Sequence, residues 1–506
     1  MIENLLLGIE HAFTWQALLF LFIGVTWGII GGAIPGITGS IATALLLPFT
    51  WAMEPAVALM MLAGVYVGAE YGGSIPAILI GAPGTSAAAA TVMDGYYMHK
   101  RGQTGKALGT SLISGTIGGV FSVIVLILVA VPLAKIALAF GPPEYFALSV
   151  FALTVVASLV AKNLVKGLIS ALIGLFLAGV GMDPFTAEQR FTGGSPNLIT
   201  GLELIPVLIG LFAVSELLAM AKESKNSNSN YVKGVSTKFP SFKEFKESIK
   251  ATTIGSVLGT FFGIMPGVGG SVGSWVAYNE AKRWSKNKES FGKGSIEGIA
   301  APEAANNAVT GGAMVPLLAL GIPGSNTTAV MIGALIIHGV VPGPLMFEQH
   351  PEIPYGLFIS LLIAQIFMLV IGYFVIKPAI RVSNVSVPML LAVIFPLVFV
   401  GSYSLNASVF DVGVVLLFGV IGFIMNRFGF STAATVLGFV LGGFIETNLR
   451  RGLAMSNGDY SIFFERPITL LLLLLSVVSL IVPFIQDRIT EKYNKRNEGI
   501  NPPGVS

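Results

Sequence analysis

Cysteine is absent from the 506 residues, which excludes disulfides, thiolate metal ligands and thiol chemistry. Histidine is nearly absent, and His11, His99, His338 and His350 are too scattered to give a metal-binding spacing. There is no Gly-Lys-Thr phosphate loop, so ATP hydrolysis is not expected and no cofactor is called for. A membrane-embedded enzyme would need clustered acidic or histidine residues, and none occurs; the chain does not read as an enzyme. Charge is scarce: 11% of residues are charged against 54% hydrophobic, and a net charge of +3 is too small to suggest nucleic acid. No short basic start precedes an isolated apolar run and a small-residue cleavage site, so the first apolar run is expected to stay in the mature protein.

What remains is apolar surface in excess of what a soluble fold can bury, with a mean hydropathy of +0.81. Stretches without Asp, Glu, Lys or Arg run over 12–53, 107–134, 251–279, 304–347, 382–410 and 467–486. Crossing a hydrocarbon core of roughly 30 Å takes about 20 helical residues. The expected fold is an all-α polytopic membrane protein with about 10 to 12 spanning helices. Glycine, at 61 residues, clusters with proline inside the apolar stretches. Backbone that leaves the helix at membrane depth is tolerated only where protein or a wet cavity satisfies it, so these clusters predict Gly/Pro-broken re-entrant hairpins.

The chain repeats itself. Residues 32–40, GAIPGITGS, return at 263–271 as GIMPGVGGS, and residues 76–86, PAILIGAPGTS, return at 316–326 as PLLALGIPGSN. Two matches in order, at separations of 231 and 240 residues, mark a duplicated unit, with halves at 1–220 and 251–486. After the first motif the connection in repeat one has no Lys or Arg, whereas repeat two has Lys282, Arg283, Lys286, Lys288 and Lys293. After the second motif the pattern swaps, with Lys100, Arg101 and Lys106 in repeat one and none over 340–354. Cytoplasmic loops attract Lys and Arg, so equivalent loops are expected on opposite sides, as in an inverted-topology repeat. One topology places 24 of the 29 basic residues inside, leaving Lys135, Arg190, Arg450, Arg451 and Arg466 outside. The stretch 221–250 reads as a cytoplasmic linker ending in an amphipathic arm or a solvated loop, and 487–506 as a cytoplasmic tail.

A break in an apolar hairpin exposes helix ends whose N–H groups suit a carboxylate and whose carbonyls suit a cation. Small hydroxyl and amide residues stand at each one. The candidate substrate-binding residues are Gly36, Thr38, Gly39 and Ser40; Gly84, Thr85 and Ser86; Gly267, Gly270 and Ser271; and Gly324, Ser325, Asn326 and Thr327. Small residues also let membrane helices approach closely, but packing alone does not require Pro-Gly followed by hydroxyls. Glu303, Asn306 and Asn307 lie three or four apart, share a helical face and are candidates for Na⁺ or H⁺ coupling, with Glu70 a further one. Glu303 also reads as a helix N-terminal cap beside the basic loop. Asp94 and His338, each followed closely by glycine, read as turn and cap residues.

Residues 32–39 (GAIPGITG), 81–86 (GAPGTS), 94–108 (DGYYMHKRGQTGKAL), 300–307 (AAPEAANN) and 321–326 (GIPGSN) resemble the large membrane subunit of the tripartite tricarboxylate transporters, the TctA family. The resemblance spans nearly the whole chain. It implies a multi-pass protein of the bacterial inner membrane that translocates a carboxylate by an elevator-like motion, driven by a cation gradient, often Na⁺. It also implies two partners, a small four-helix membrane subunit and a periplasmic substrate-binding protein. The alternatives are a self-sufficient organic-anion symporter and, from other classes, a membrane-embedded enzyme or a scaffold. No Arg or Lys lies within the breaks, so an anion there rests on helix dipoles, hydroxyls and a co-transported cation.

Overall fold

The computed structural model describes residues 2–34, 36–159, 163–223, 238–382 and 387–481. Residues 224–237 of the expected linker at 221–250, and the expected tail at 487–506, lie outside them. The chain is an all-α polytopic membrane protein. Among the described residues seven helices are long and apolar enough to cross a membrane, joined by shorter apolar ones. The described strands are the two-residue partners Gly181–Met182 and Gln189–Arg190, paired antiparallel.

The helices, numbered along the chain, begin with α1 (Ile2–Ala12), α2 (Trp15–Gly32), α3 (Gly39–Leu46), α4 (Pro55–Leu79), α5 (Ala89–Lys100) and α6 (Thr104–Ala137). Next come α7 (Pro142–Leu159), α8 (Leu164–Ala178) and α9 (Leu204–Leu208), the last running through a π-helical turn into α10 (Ser215–Glu223). The second half holds α11 (Phe242–Ile264), α12 (Gly269–Trp284), α13 (Ile296–Leu320), α14 (Asn326–Ile337), α15 (Met346–Gln349) and α16 (Glu352–Val382). It ends with α17 (Val387–Asn406), α18 (Val409–Arg427), α19 (Thr432–Met455) and α20 (Ile462–Glu465). In order and type, α11, α12, α13, α14 and α16 repeat α2 to α6. The breaks are the gaps α2–α3, α4–α5, α11–α12 and α13–α14. Local chemistry sets these ends: Pro55 opens α4, Ser295 accepts from Gly298 N to cap α13, and Gly321 closes α13 in the left-handed region at φ 73°.

The duplication extends to packing. A methyl at Gly24, Gly28 or Gly32 of α2 would overlap the carbonyl oxygens of Met61, Val65 and Ala69 in α4. Gly255 and Gly259 of α11 stand in the same way on Ala301 and Ala305 of α13, at the offsets of 231 and 240 that relate the motifs. Close approach through glycine replaces apolar burial as the association force where the solvent is lipid.

These contacts also fix helix directions. Gly24 with Met61 and Gly32 with Ala69 make α2 and α4 run the same way. Gly356 meets Met60 and Gly372 meets Tyr71, so α16 runs with α4. Gly119 meets Gln365 while Leu112 meets Gly372, so α6 runs against α16. Ser111 bonds Glu303, Gly115 meets Asn307 and Ser122 meets Gly311, so α13 runs with α6. It follows that α13 runs opposite to α4.

The chain forms two compact units that both draw on each sequence half: Met1–Ala139 with Leu202–Met425, and Phe140–Gly201 with the chain from Asn426. The first holds all four breaks. Its α11 starts on the capping box of Ser241 and Glu244, with Lys106 paired to Glu244 and Phe239 packed 5.1 Å from the Tyr373 ring. The expected arm at 239–250 is therefore largely the first turns of a longer helix. In the second unit α8 and α19 close on Gly174 and Gly438, each set against backbone of the other helix. Outside the spans, Asp183 accepts from the Phe185 and Thr186 amides at 2.8 and 3.0 Å and pairs with Arg450 at 2.9 Å and Arg190 at 3.4 Å. Those amides, helped by the two guanidinium groups, hold its carboxyl down to about 2.

Two outcomes follow from the packing and the ion pairs. Gly28→Val and Gly259→Val should each destabilise the protein by about 1–3 kcal/mol or more, since backbone must move. Detergent thermal unfolding measures it, and wild-type midpoints would refute the close approach. Asp183 has a depressed carboxyl, so its contribution is present above its unfolded value near 4 and is lost as pH falls to about 2. The midpoint gap between wild type and Asp183→Asn should hold at neutral pH and close across that window; a gap independent of pH would show that the carboxylate charge is not what holds this loop.

Candidate functional site

Four helices of the first unit begin at the breaks, and the breaks meet across the repeats. A methyl at Gly39 would stand 3.2 Å from Thr327 Oγ1 and 3.5 Å from Glu70 Oε1. One at Gly270 would stand 2.8 Å from Ala87 Cβ and 3.1 Å from Asn306 Oδ1. Gly270 is Gly39 plus 231, and Thr327 is Ala87 plus 240, so this is one contact made twice. The Gly267 N–H donates to Gly324 O at 3.1 Å, and the Gly84 N–H to Gly73 O at 3.0 Å. A methyl at Gly84 would overlap Gly32 O, which brings the α4–α5 break against the end of α2. Gly36, at φ 90°, turns away from this meeting point and lies against Met220.

The hydroxyls divide into capping and free groups. Thr85 accepts from Ala88 N, and Ser325 forms a capping box with Thr328 at the start of α14. Ser325 Oγ also accepts from Tyr66 Oη at 3.0 Å. Ser86 and Asn326, equivalent by the offset of 240, are both exposed. At α3 and α12 there is no side-chain cap: Thr38 Oγ1 instead bonds Ser40 Oγ at 2.9 Å, and Val268 holds the N-cap position of α12, two residues ahead of Gly270 and three ahead of Ser271. These two equivalent helix ends present first-turn N–H groups that no side chain covers.

The acidic and amide candidates separate into two groups. Asn306 Nδ2 donates to Glu70 O at 3.0 Å, so Asn306 and Glu70 face the breaks. Glu70 Oε2 and Asn306 Oδ1 are enclosed without a partner. Glu303 lies two turns inside α13, behind the cap Ser295, and is fully buried. Its Oε1 accepts from Thr91 Oγ1 and its Oε2 from Ser111 Oγ at 2.9 Å, and Ser111 meets Ser74 at 2.7 Å. Asn307 joins Glu303, donating from Nδ2 to the Glu303 carbonyl at 3.1 Å. The expectation of one shared face fails for Asn306 and Asn307 because neighbours on a helix point about 100° apart. Asp94 behaves as a cap: buried, it accepts from Ser295 N at 2.7 Å, Gly294 N at 2.8 Å and Tyr278 Oη at 2.9 Å, at the start of α13.

Sequence reasoning passed over Tyr66, Thr91, Ser111 and Ser74. Tyr66 was within reach of the repeat, since adding 240 gives Asn306. Thr91 and Ser111 carried no motif; only tertiary packing brings them to Glu303.

The profile of the tripartite tricarboxylate transporter TctA family matches residues 18–437. The chain belongs to the TctA family. Its family is one of transporters and not of enzymes, and TctA proteins are the large subunits of tripartite systems. A protein of Agrobacterium vitis, described as an uncharacterized 52.8 kDa protein in the TAR-I ttuC' 3' region, is 36% identical over 485 residues, 96% of each chain. A second from that organism, described as an uncharacterized protein in the TAR-II ttuC' 3' region, is 35% identical over 227 residues, 45% of this chain and 94% of its own. No solved structure matches this TctA chain.

Tyr66→Phe should cost about 1 kcal/mol of stability, the usual worth of one hydrogen bond, by releasing Ser325 from α4. An unchanged unfolding midpoint and unchanged transport would remove Tyr66 from the site.

Proposed function

We propose that this TctA-family chain is the translocating subunit of a binding-protein-dependent carboxylate importer of the bacterial inner membrane, driven by Na⁺ or H⁺. The observation that carries the reading is the pair of uncapped helix ends at α3 and α12, each facing the other repeat's break. Oriented N–H groups and nearby hydroxyls suit a carboxylate without the cost of a buried lysine or arginine. Glu70, at the same junction, gives a co-transported cation a place beside the anion. The family's tripartite make-up supports two partners, a small four-helix membrane subunit and a periplasmic substrate-binding protein.

The halves 1–220 and 251–486 are read as an inverted repeat about an axis in the membrane plane. The opposite directions of α4 and α13, with α2 and α11 following them, support this reading, as does the swap of basic residues between equivalent loops. An elevator-like displacement is the mechanism it favours. All four breaks belong to one compact unit and none to the other, a division of labour that such a mechanism needs.

Uptake of labelled di- and tricarboxylates into proteoliposomes, with both partners present and normalised to folded protein, tests the reading. Ser325→Ala, Asn326→Ala and Thr85→Ala should each weaken apparent affinity about ten- to hundredfold, since a hydrogen bond to a charged group is worth roughly 1.5 to 3 kcal/mol. Ser325 and Thr85 also cap helices, so Asn326→Ala and Ser86→Ala, at exposed positions, separate binding from folding. Normal affinities in all four variants would return these residues to packing.

A further inference from the structure

At the C-terminal end of α6 a crevice of about 260 Å³ opens, with Asn4, Lys135, Phe347, Glu348 and Tyr355 in its lining. Leu112 meets Gly372 and Gly119 meets Gln365, so seven residues forward on α6 match seven back on α16. The same register carries Lys135 to the start of α16. A methyl at Gly8 would stand 2.6 Å from the Tyr355 backbone, which lays α1 across that start and brings Asn4 to the crevice. Tyr355 is 3% exposed, and its ring stands edge-on to Phe347 at 5.9 Å. The wall is therefore aromatic and packed, while Lys135 and Glu348 are exposed at its rim.

Lys135 is one of the five basic residues on the side that the distribution of Lys and Arg marks as outer. Of the others, Arg190 and Arg450 pair with Asp183 and Glu446, and Arg466 pairs with Glu144. Among the described residues Lys135 has no acidic partner and Glu348 no basic one, although both line one crevice. Glu352, the next carboxylate along the chain, lies 3.3 Å from His350. Two opposite charges that share a crevice without reaching each other suit a ligand that carries both. An apolar stripe leads away from Lys135 along α6. Ile117, Ile124, Leu128 and Lys135 follow at spacings of seven, four and seven, which is one helical face, and the three apolar members are 40%, 48% and 62% exposed. From Lys135 back to Ile124 the helix covers about 16 Å, half of a hydrocarbon core of roughly 30 Å. An acyl chain on that stripe spans one leaflet, with its headgroup level with the crevice.

We propose that this crevice binds the headgroup of a zwitterionic phospholipid bearing a primary ammonium, with Lys135 on the phosphate, Glu348 on the ammonium and an acyl chain along the α6 stripe. Both contacts are charge-assisted hydrogen bonds, the stronger kind. A primary ammonium has N–H groups to donate to Glu348, and the Tyr355 hydroxyl and Asn4 amide oxygen are further acceptors in the same lining. A quaternary ammonium has none to give. A headgroup with net negative charge would set that charge against Glu348. The crevice joins α6 of the first repeat to the start of α16 in the second. Because α6 packs on α13 and α16 on α4, a lipid held there steadies the helices that lead into two of the breaks. The site goes beyond the importer reading and does not rest on it.

The test is thermal unfolding of the purified full chain in detergent, titrated with phosphatidylethanolamine, phosphatidylcholine or phosphatidylglycerol, with native mass spectrometry counting the bound lipid. Phosphatidylethanolamine should raise the midpoint saturably, at a concentration about tenfold below that needed of the other two. Lys135→Met should raise its half-saturating concentration about tenfold. Glu348→Gln should do the same and also erase the preference over phosphatidylglycerol, a change of selectivity that a solvated surface carboxylate would not produce. Both variants should unfold at the wild-type midpoint when no lipid is added, since neither side chain is paired within the protein. Arg451→Met, at an exposed basic residue outside the crevice, should leave all three titrations unchanged. An equal response to the three lipids, or an Arg451→Met protein that shifts as Lys135→Met does, would reduce Lys135 to a snorkelling surface charge and overturn the site. A phosphatidylethanolamine response that vanishes once the small membrane subunit is added would make the stripe that subunit's seat and overturn it as well.

Discussion

Backbone freed from a helix inside lipid must find its hydrogen bonds in protein, and this constraint organises the first unit. Bonds within and around the breaks satisfy it: Gly267 donates to Gly324 in the other break of its own repeat, Gly84 donates to Gly73 of α4, and Ser325 and Thr328 cap one another. Such pairing requires the breaks to lie together. Glycine contacts at α2–α4 and α11–α13 bring the helices close enough, because carbonyl oxygens occupy the positions where side chains would stand. The breaks, the polar groups beside them and the helix ends left without a side-chain cap are consequences of one packing solution used twice.

The repeat is not chemically symmetric. Where one copy has Tyr66 the other has Asn306, and where one has Ala63 the other has Glu303. Duplication gives matched helix ends suited to an anion, while divergence places carboxylates at positions that have no counterpart. Glu70 remains beside the breaks, and Glu303 turns to α5 and α6 through Thr91 and Ser111.

The second unit is built differently. Its described hairpin is held by full charges at the aqueous boundary, with Asp183, Arg190, Glu446 and Arg450 in one network and Glu144 paired with Arg466 at 2.5 Å. In the first unit the buried carboxylates Glu303 and Asp94 are met instead by neutral hydroxyls and backbone N–H groups.

The sequence by itself determined the membrane class, the duplication, the position of all four breaks and the hydroxyls that stand at them. Hydropathy, proline, glycine and a fixed offset are local or periodic signals, and they survive without knowledge of contacts. It also placed Glu303 and Asn307 among the polar groups of interest, but grouped Asn306 with them; the direction of each side chain around α13 separates them. Only the tertiary structure decided that Thr91 and Ser111 hold Glu303, that Tyr66 reaches Ser325, and that Gln365 lies over Gly119. Those pairings join residues up to 259 positions apart, and the helix packing that creates them leaves no spacing in the chain to read.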